Sequence, residues 1–349
     1  MSDTYGRIAG LPLRVEGYRL DPLSLQLAPE FARVTTVITL HGAGQEGLGE
    51  DVVYDEVDHE TQLAAGPTLP LADDWTLEGF ARHLDGLALF PAEPVRAFSR
   101  NYRRWAFESA ALDLALRQAG VSLADALGLQ PRPVTFVVST RLDGGAGRLR
   151  GFLERTPGLR FKLDPTDEWS PELIDELGDM GVVDTFDMKG AYDDVPFAVP
   201  SDPRIYERIV ARFPDAWIED PKLTPALREA LRGAEDRVTW DAPIHSVADV
   251  RALEWTPRMI NVKPSRIGPL RELMATYDHL RDHGIGAYGG GQTELGPGRG
   301  QIQYLASLFH PDGPNDVAPG GYNDPNPPPG LPGSPLPVAA SETGFRWGA

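Results

Sequence analysis

From Pro133 onward, a short apolar run, a turn and a helix-like stretch recur along the chain, and this repetition constrains the fold more than any other feature. The runs are residues 134–139, 159–163, 183–187, 216–219, 238–241, 259–263 and 286–289, with starts about 20–33 residues apart. Helix-like stretches lie between them, at 171–178, 204–213, 225–232, 247–254 and 269–283. Parallel strands cannot be joined by a hairpin; each crossover needs a helix-sized connection, which this spacing supplies. Seven such units and a poorly marked eighth predict an α/β fold with a TIM-type (β/α)7β barrel. An open doubly wound sheet is the alternative, but its G-x-G-x-x-G turn is missing after the first strand.

The residues before the repeat read differently. A β-branched run, 34–40, runs into a Gly-rich turn at 41–49, and 52–54 begins a return strand. Stretches 77–87 and 99–118 are helical; in the second, Phe107, Ala111, Leu114 and Ala115 fall on one face and Gly120 stops the helix. The expected organisation is an N-terminal α+β capping domain (1–125), a barrel (126–325) and a Pro/Gly-rich tail (326–349) packing back on the capping domain.

Composition removes several classes of function. The chain has no cysteine, which excludes disulfides, Cys-ligated metals and a Cys nucleophile. Lys and Arg number 33 against 51 Asp and Glu, a net charge of −18 that opposes a phosphate backbone, so no nucleic-acid partner is expected. No apolar run reaches the roughly 18 residues of a membrane span, and the N-terminus lacks a basic start followed by an apolar core. A cytoplasmic protein with no membrane partner is the expectation.

Catalytic groups of such barrels sit at the C-terminal ends of the strands. There the chain places Lys162 (LRFKLDP), Asp187 (TFDMKG), Glu219 (WIEDP), Asp241 (TWDAP) and Lys263 (INVKPS), separated by 25, 32, 22 and 22 residues. One carboxylate at a strand end reads as a helix cap or a solvated loop residue. Five consecutive matches, each about one βα unit apart, are a pattern. Three carboxylates converging on one mouth repel each other unless a cation neutralises them. Oxygen donors without Cys or His select a hard ion, Mg²⁺ first, with Mn²⁺ as a substitute. Lys162 and Lys263 flank the carboxylates and, as opposed ammonium groups, suit proton transfer on two faces of one carbon.

These motifs resemble the enolase superfamily, and within it the muconate lactonizing enzyme subgroup. WIEDP, TWDAP and NVKPSRIG stand in the subgroup's order, RRWAFESAALDLAL resembles its entry into the barrel, and GGGQTELGPGR resembles the strand-7 region of o-succinylbenzoate synthases and N-succinylamino acid racemases. The resemblance implies an enzyme, an isomerase or lyase. Asp187, Glu219 and Asp241 would be its Mg²⁺ ligands, with Asp220 in support, and Lys162 and Lys263 its acid/base pair. The substrate would be a small carboxylate whose α-proton is removed to give an enediolate. Racemisation of an N-acyl amino acid and o-succinylbenzoate-type dehydration lead; muconate-type cycloisomerisation and dipeptide epimerisation are the alternatives. A homo-oligomer is expected by the same resemblance. A non-catalytic metal-binding barrel remains as a reading of another class, as does a hydrolytic barrel, which would not need the two lysines.

Two departures stand out. The subgroup usually carries Lys-x-Lys on strand 2, where this chain has Arg160-Phe161-Lys162; alternation puts Arg160 on the face of Lys162, as a fixed cation lowering its pKa, whereas the other register, Lys162-Leu163-Asp164, would lack a second Lys. Two residues after Asp187, where the family often has Asn, stands Lys189, a ligand for a second substrate carboxylate or a partner of Asp193 or Asp194. Candidate specificity contacts are Tyr18, Tyr54, Asp55 and His59 in the cap, and Glu294 and Asp316 near strands 7 and 8. Dipeptide epimerases carry Asp-x-Asp after strand 8; only Asp316 stands here. The insert 191–203 and the Pro-rich segment after strand 8 suggest an unusual pocket.

Overall fold

Two consecutive left-handed residues, Ala43 (φ 50°) and Gly44 (φ 72°), turn the chain back on itself in a computed structural model that describes residues 3–28, 31–142, 144–191, 199–324 and 326–348. A two-residue turn with both φ values positive matches the twist of flanking antiparallel strands. The Gly-rich stretch expected as a nine-residue turn is therefore mostly strand. β1 (Pro12–Val15), β2 (Gly17–Ala28), β3 (Phe31–Gly42) and β4 (Gln45–Asp51) precede helix α1 (Glu56–Ala65), and β5 (Asp73–Thr76) precedes α2 (Leu77–Asp85). β2, β3 and β4 form an antiparallel sheet; β1 pairs with β5.

The glycines of β4 serve packing. A Cβ on Gly47 would lie 2.2 Å from the Ala110 carbonyl oxygen, and one on Gly49 2.0 Å from that of Ala106. Both carbonyls belong to α3 (Ser99–Ala119), which lies directly against the sheet. Every residue of α3 from Tyr102 to Leu116 is buried, so the four-residue face expected from periodicity understates it. Cap residues such as Leu13 and Ile38 share one apolar cluster with α3 and with barrel residues such as Ile260, Leu270 and Tyr304. Short α4 (Leu123–Leu127), closed by a Ser122–Asp125 capping box, leads into the barrel region.

There the strands are β6 (Val138–Thr140), β7 (Phe161–Leu163), β8 (Val183–Asp187), β9 (Trp217–Glu219), β10 (Val238–Thr239), β11 (Met259–Val262) and β12 (Gly286–Gly289). The helices are α5 (Gly147–Arg155), α6 (Pro171–Met180), α7 (Pro203–Arg212), α8 (Pro225–Ala230), α9 (Val247–Ala252), α10 (Pro264–Ile267), α11 (Leu270–His283) and α12 (Pro297–Phe309). β6 to β10 form a parallel arc in chain order, and β11 and β12 a parallel pair. Isolated links join the two sets: the Asn261 N–H donates to the Trp240 carbonyl (3.0 Å), and segment 315–316 bridges Gly290 on one side and Phe136 on the other. The eighth position is thus filled by irregular chain, which is why no strand signal marked it.

Local sequence sets the crossovers. Ser170, Asp202 and Thr224 each cap a helix whose first residue is proline, accepting an N–H that the helix leaves free. Phe161, Leu163, Phe186 and Ile218 turn outward into a second apolar cluster with Leu149, Leu177 and Ile209 of the surrounding helices. The alternate strand positions face inward. The tail returns to the cap: Phe345 is buried against Trp105, its N–H donates to Asp113 (2.8 Å), and Arg346 pairs with the same carboxylate (3.0 Å). Among the described residues no helix is long and apolar enough to cross a membrane.

His310, past the end of α12, is buried between Asn315 (2.6 Å) and Tyr277 (3.1 Å), and burial pushes its pKa down to about 4. The unfolded imidazole binds a proton below about pH 6.5, whereas the folded one stays neutral until about pH 4. Its contribution is therefore present above pH 6.5 and is lost as pH falls towards 4. Urea unfolding between pH 7 and 4 should lose about 3 kcal/mol less in His310→Gln than in the parent chain. Parallel pH profiles would remove His310 from the account.

Candidate active site

The inward face of the parallel arc is polar. Lys162 is the centre residue of β7, Asp187 and Glu219 end β8 and β9, and Asp241 and Lys263 follow β10 and β11. All five are buried, at 9% exposure or less. The Lys162 Nζ donates to Glu219 Oε1 (2.6 Å) and lies 3.1 Å from Asp187 Oδ2 and 3.6 Å from Asp316 Oδ2. Lys263 Nζ is 2.8 Å from Asp241 Oδ2, and the buried Arg266 guanidinium pairs with the other oxygen of that carboxylate. The two lysines thus stand on either side of the three carboxylate-bearing strands β8, β9 and β10.

Burial and crowding set the charges. Burial opposes ionisation of Asp187, but the Lys162 and Lys189 ammonium groups outweigh it and hold the carboxyl below its usual range. Arg266 and Lys263 do the same for Asp241. Burial and the neighbouring carboxylates push Glu219 up to about 8 and Asp220 up to about 7. Burial also opposes the charge on Lys162, yet Asp187, Glu219 and Asp316 leave its pKa well above the ordinary value. The expected lowering is absent, because Arg160 lies elsewhere. Arg160 precedes β7, and its guanidinium bonds Asp184 (2.9 Å) and the Gly181 carbonyl (2.7 Å), where α6 ends and β8 begins. The carboxylate there captures it at the opposite end of the strand from the site.

Oxygens of Asp187, Glu219 and Asp220 lie within 4.8 Å of one another, so these three can hold a metal ion. Their hard-oxygen chemistry suits a divalent cation. Asp220 has φ 46° and spends both oxygens on backbone N–H groups, those of Asp241 (2.9 Å) and Ala242 (2.8 Å). It thereby fixes the backbone at Asp241, the residue that the resemblance makes the third ligand.

The other candidates divide. Asp316 joins the site through Lys162. Lys189 pairs with Asp187 and lies 3.6 Å from Asp164; the proposed partners Asp193 and Asp194 fall outside the described residues, as does most of the insert 191–203. The Tyr54 hydroxyl donates to Gln292 (2.8 Å), whose amide donates to Tyr102 (3.1 Å), joining the cap to the loop after β12. Asp55 pairs with Arg96 (3.4 Å) at the start of α1. His59 is fully buried in the cap, between the Thr36 hydroxyl (2.8 Å) and the Val53 carbonyl (2.9 Å). Tyr18 packs edge-on to Phe107 inside the cap, and Glu294 accepts the Gln292 N–H (2.7 Å) and pairs with Arg299 (3.2 Å). Tyr18, His59 and Glu294 thus each have partners within the protein.

Sequence reasoning missed the layer beneath. Thr185, Thr239 and Asn261 stand two residues before Asp187, Asp241 and Lys263, on the same strand faces, and all are buried. Tyr288 of β12 joins them: its hydroxyl donates to Glu219 Oε2, while Asn261 approaches Oε1 (3.4 Å). Alternation counted backwards from each charged residue would have found the first three. Gly290, two residues after Tyr288, leaves room: a Cβ there would lie 2.7 Å from Lys263 Cε.

Residues 6–126 and 130–324 match the two family models described as the N-terminal and C-terminal domains of domain of unknown function DUF8230. The chain belongs to that family. It is 26% identical over 292 residues to an o-succinylbenzoate synthase of Bacillus subtilis (strain 168), covering 79% of this chain and 75% of that one. It is 25% identical over 335 residues to an N-succinylamino acid racemase of Thermus thermophilus, covering 88% and 86%. Among solved structures, muconate lactonizing enzyme from Pseudomonas putida aligns with a TM-score of 0.65 at 19% identity, covering 96% of each chain. A probable mandelate racemase from Alicyclobacillus acidocaldarius aligns with a TM-score of 0.65 at 20% identity, covering 95% and 92%. The fold is that of the enolase superfamily, as the motifs indicated.

Removing one partner of a buried ion pair strands the others. In chelator-treated protein, Lys162→Met should cost about 3 kcal/mol at pH 7.5, and less at pH 5, where the freed carboxyls discharge by taking up protons. Urea unfolding at both pH values checks this; an equal loss at each would contradict it.

Proposed function

We propose that the chain is a divalent-cation-dependent enzyme of the enolase superfamily that removes the proton α to the carboxylate of a small substrate. The observation that carries this reading is the pair of buried ammonium groups, Lys162 and Lys263, flanking β8, β9 and β10. A hydrolytic carboxylate pair has no use for both. A non-catalytic cation site would not need two lysines within bonding distance of its acidic groups.

Asp187 and Glu219 would hold the ion, with Asp241 as the third ligand and Asp220 setting its backbone, or with Asp220 itself ligating. Mg²⁺ is the ion that the hard-oxygen set suits best, and Mn²⁺ its substitute. When bound, such an ion supplies Lewis-acid stabilisation of charge developing on the substrate carboxylate. The protein supplies the rest. The lysine that acts as base must be in its neutral amine form, and it takes the α-proton to become an ammonium; the other, as an ammonium, donates a proton to the opposite face. Arg266 holds Asp241 against Lys263, so that ammonium keeps a fixed place. Tyr288 and Asn261 hold the Glu219 carboxylate. The cap, docked through Tyr54 and Gln292, covers the loop beside the site and limits access of water.

The relatives named o-succinylbenzoate synthase and N-succinylamino acid racemase favour elimination from, or racemisation of, a succinyl-type carboxylate. The neighbours include a muconate lactonizing enzyme, so cycloisomerisation is the second reading. Dipeptide epimerisation is disfavoured, because Asp316 already faces Lys162 and has no second carboxylate two residues away.

The test is α-proton exchange in D₂O with Mg²⁺ and a pool of N-succinyl and N-acetyl amino acids, dipeptides and the o-succinylbenzoate precursor, read by NMR. Deuterium should enter one substrate class. Exchange should fall by at least about 100-fold in Lys162→Ala and in Lys263→Ala, and be lost with chelator. Exchange that survives both lysine changes would falsify the assignment of the bases. A parallel Mn²⁺ titration separates the ligands: Asp241→Asn should weaken binding more than Asp220→Asn if Asp241 ligates, and the reverse order would give Asp220 the place.

A further inference from the structure

Lys189 is the second ammonium group on Asp187. The carboxylate of Asp187 already faces Lys162 at 3.1 Å, and the Lys189 ammonium bonds the same Oδ2, while the Lys189 N–H donates to Oδ1 (3.2 Å). The backbone that carries it is held in place. Met188 N–H donates to the Glu219 carbonyl (2.8 Å) and Gly190 N–H to the Asp220 carbonyl (2.7 Å), so the backbone on both sides is tied to β9. Lys189 itself sits at φ 55°, a left-handed conformation that costs energy for a residue with a long side chain. Its other carboxylate neighbour is Asp164, whose Oδ1 lies 3.6 Å away while Oδ2 pairs with Arg141 (3.1 Å). Two ammonium groups on one oxygen repel each other and any third cation brought to that oxygen.

We propose that Lys189 is a positioning residue that holds the divalent-cation affinity of the carboxylate cluster low. This rests on the reading of that cluster as a cation site. The ion is then exchanged with solution rather than carried as a permanent part of the protein. An anionic substrate, by adding negative charge beside Lys189, offsets the repulsion and makes ion and substrate binding mutually supportive.

The experiment measures free Mn²⁺ by electron paramagnetic resonance during titration of the full chain, so the readout is binding and not turnover. Lys189→Asn removes the charge and suits a positive φ; Lys189→Arg keeps the charge. Circular dichroism confirms that each variant is folded, and Lys189→Gln serves as a second neutral variant. Both neutral variants should bind Mn²⁺ at least about ten-fold tighter than the parent, and Lys189→Arg should stay within about three-fold of it. Equal or weaker binding by the neutral variants, or equal tightening by Lys189→Arg, overturns the proposal while the cation site stands. Absence of Mn²⁺ binding in parent and variants alike overturns the cation site and this proposal together.

Discussion

The Lys162 ammonium is what allows Asp187 and Glu219 to be buried side by side. Two carboxylates without a cation would be expelled or protonated, because burial and mutual repulsion both oppose their charges. With Lys162 between them, and Arg266 and Lys263 on Asp241, the arc of parallel strands can end in a layer of charge beneath the cap. The balance remains short of positive charge: Glu219 is pushed up to about 8 and Asp220 to about 7. A divalent cation held among Asp187, Glu219 and Asp220 would meet that shortage.

Beside the shared apolar cluster, the cap meets the loop before α12 through complementary polar contacts. Glu50 of β4, fully buried, accepts N–H groups from Leu295, Gly296 and Gly298, where the loop enters α12. Arg33 of β3, equally buried, donates to the carbonyls of Gln292, Val52 and Val53 and lies over the Tyr54 ring. Glu50 thus satisfies donors of the loop, and Arg33 ties the loop carbonyl of Gln292 to the chain leaving β4. The Tyr54–Gln292–Tyr102 chain lies between them.

The strand-end residues were legible because parallel βα units repeat at a nearly fixed spacing and the chemistry falls at the same place in each. Residues 183–187 and 286–289 are strands with those bounds in the structure, and α3 differs from its expected span by one residue. What alternation or composition could not supply is partner choice. Arg160 has the right spacing to face Lys162, yet Asp184 on the neighbouring strand claims it. His59 stands in the cap as a candidate substrate contact, yet Thr36 and Val53 bond both its ring nitrogens. α1 was missed because EVDHETQLAA has no apolar stripe; it buries Asp58, His59 and Gln62 instead. Tyr288 was hidden in a glycine-rich run, where an aromatic residue ordinarily signals packing rather than a hydroxyl aimed at Glu219.

The most direct measurement is the anomalous difference map of crystals soaked in Mn²⁺. One strong peak is expected among the carboxylates of Asp187, Glu219 and Asp241 or Asp220, between the Lys162 and Lys263 side chains, with no comparable peak elsewhere on a surface this acidic. A map in which manganese decorates surface carboxylates and avoids the buried cluster would contradict it.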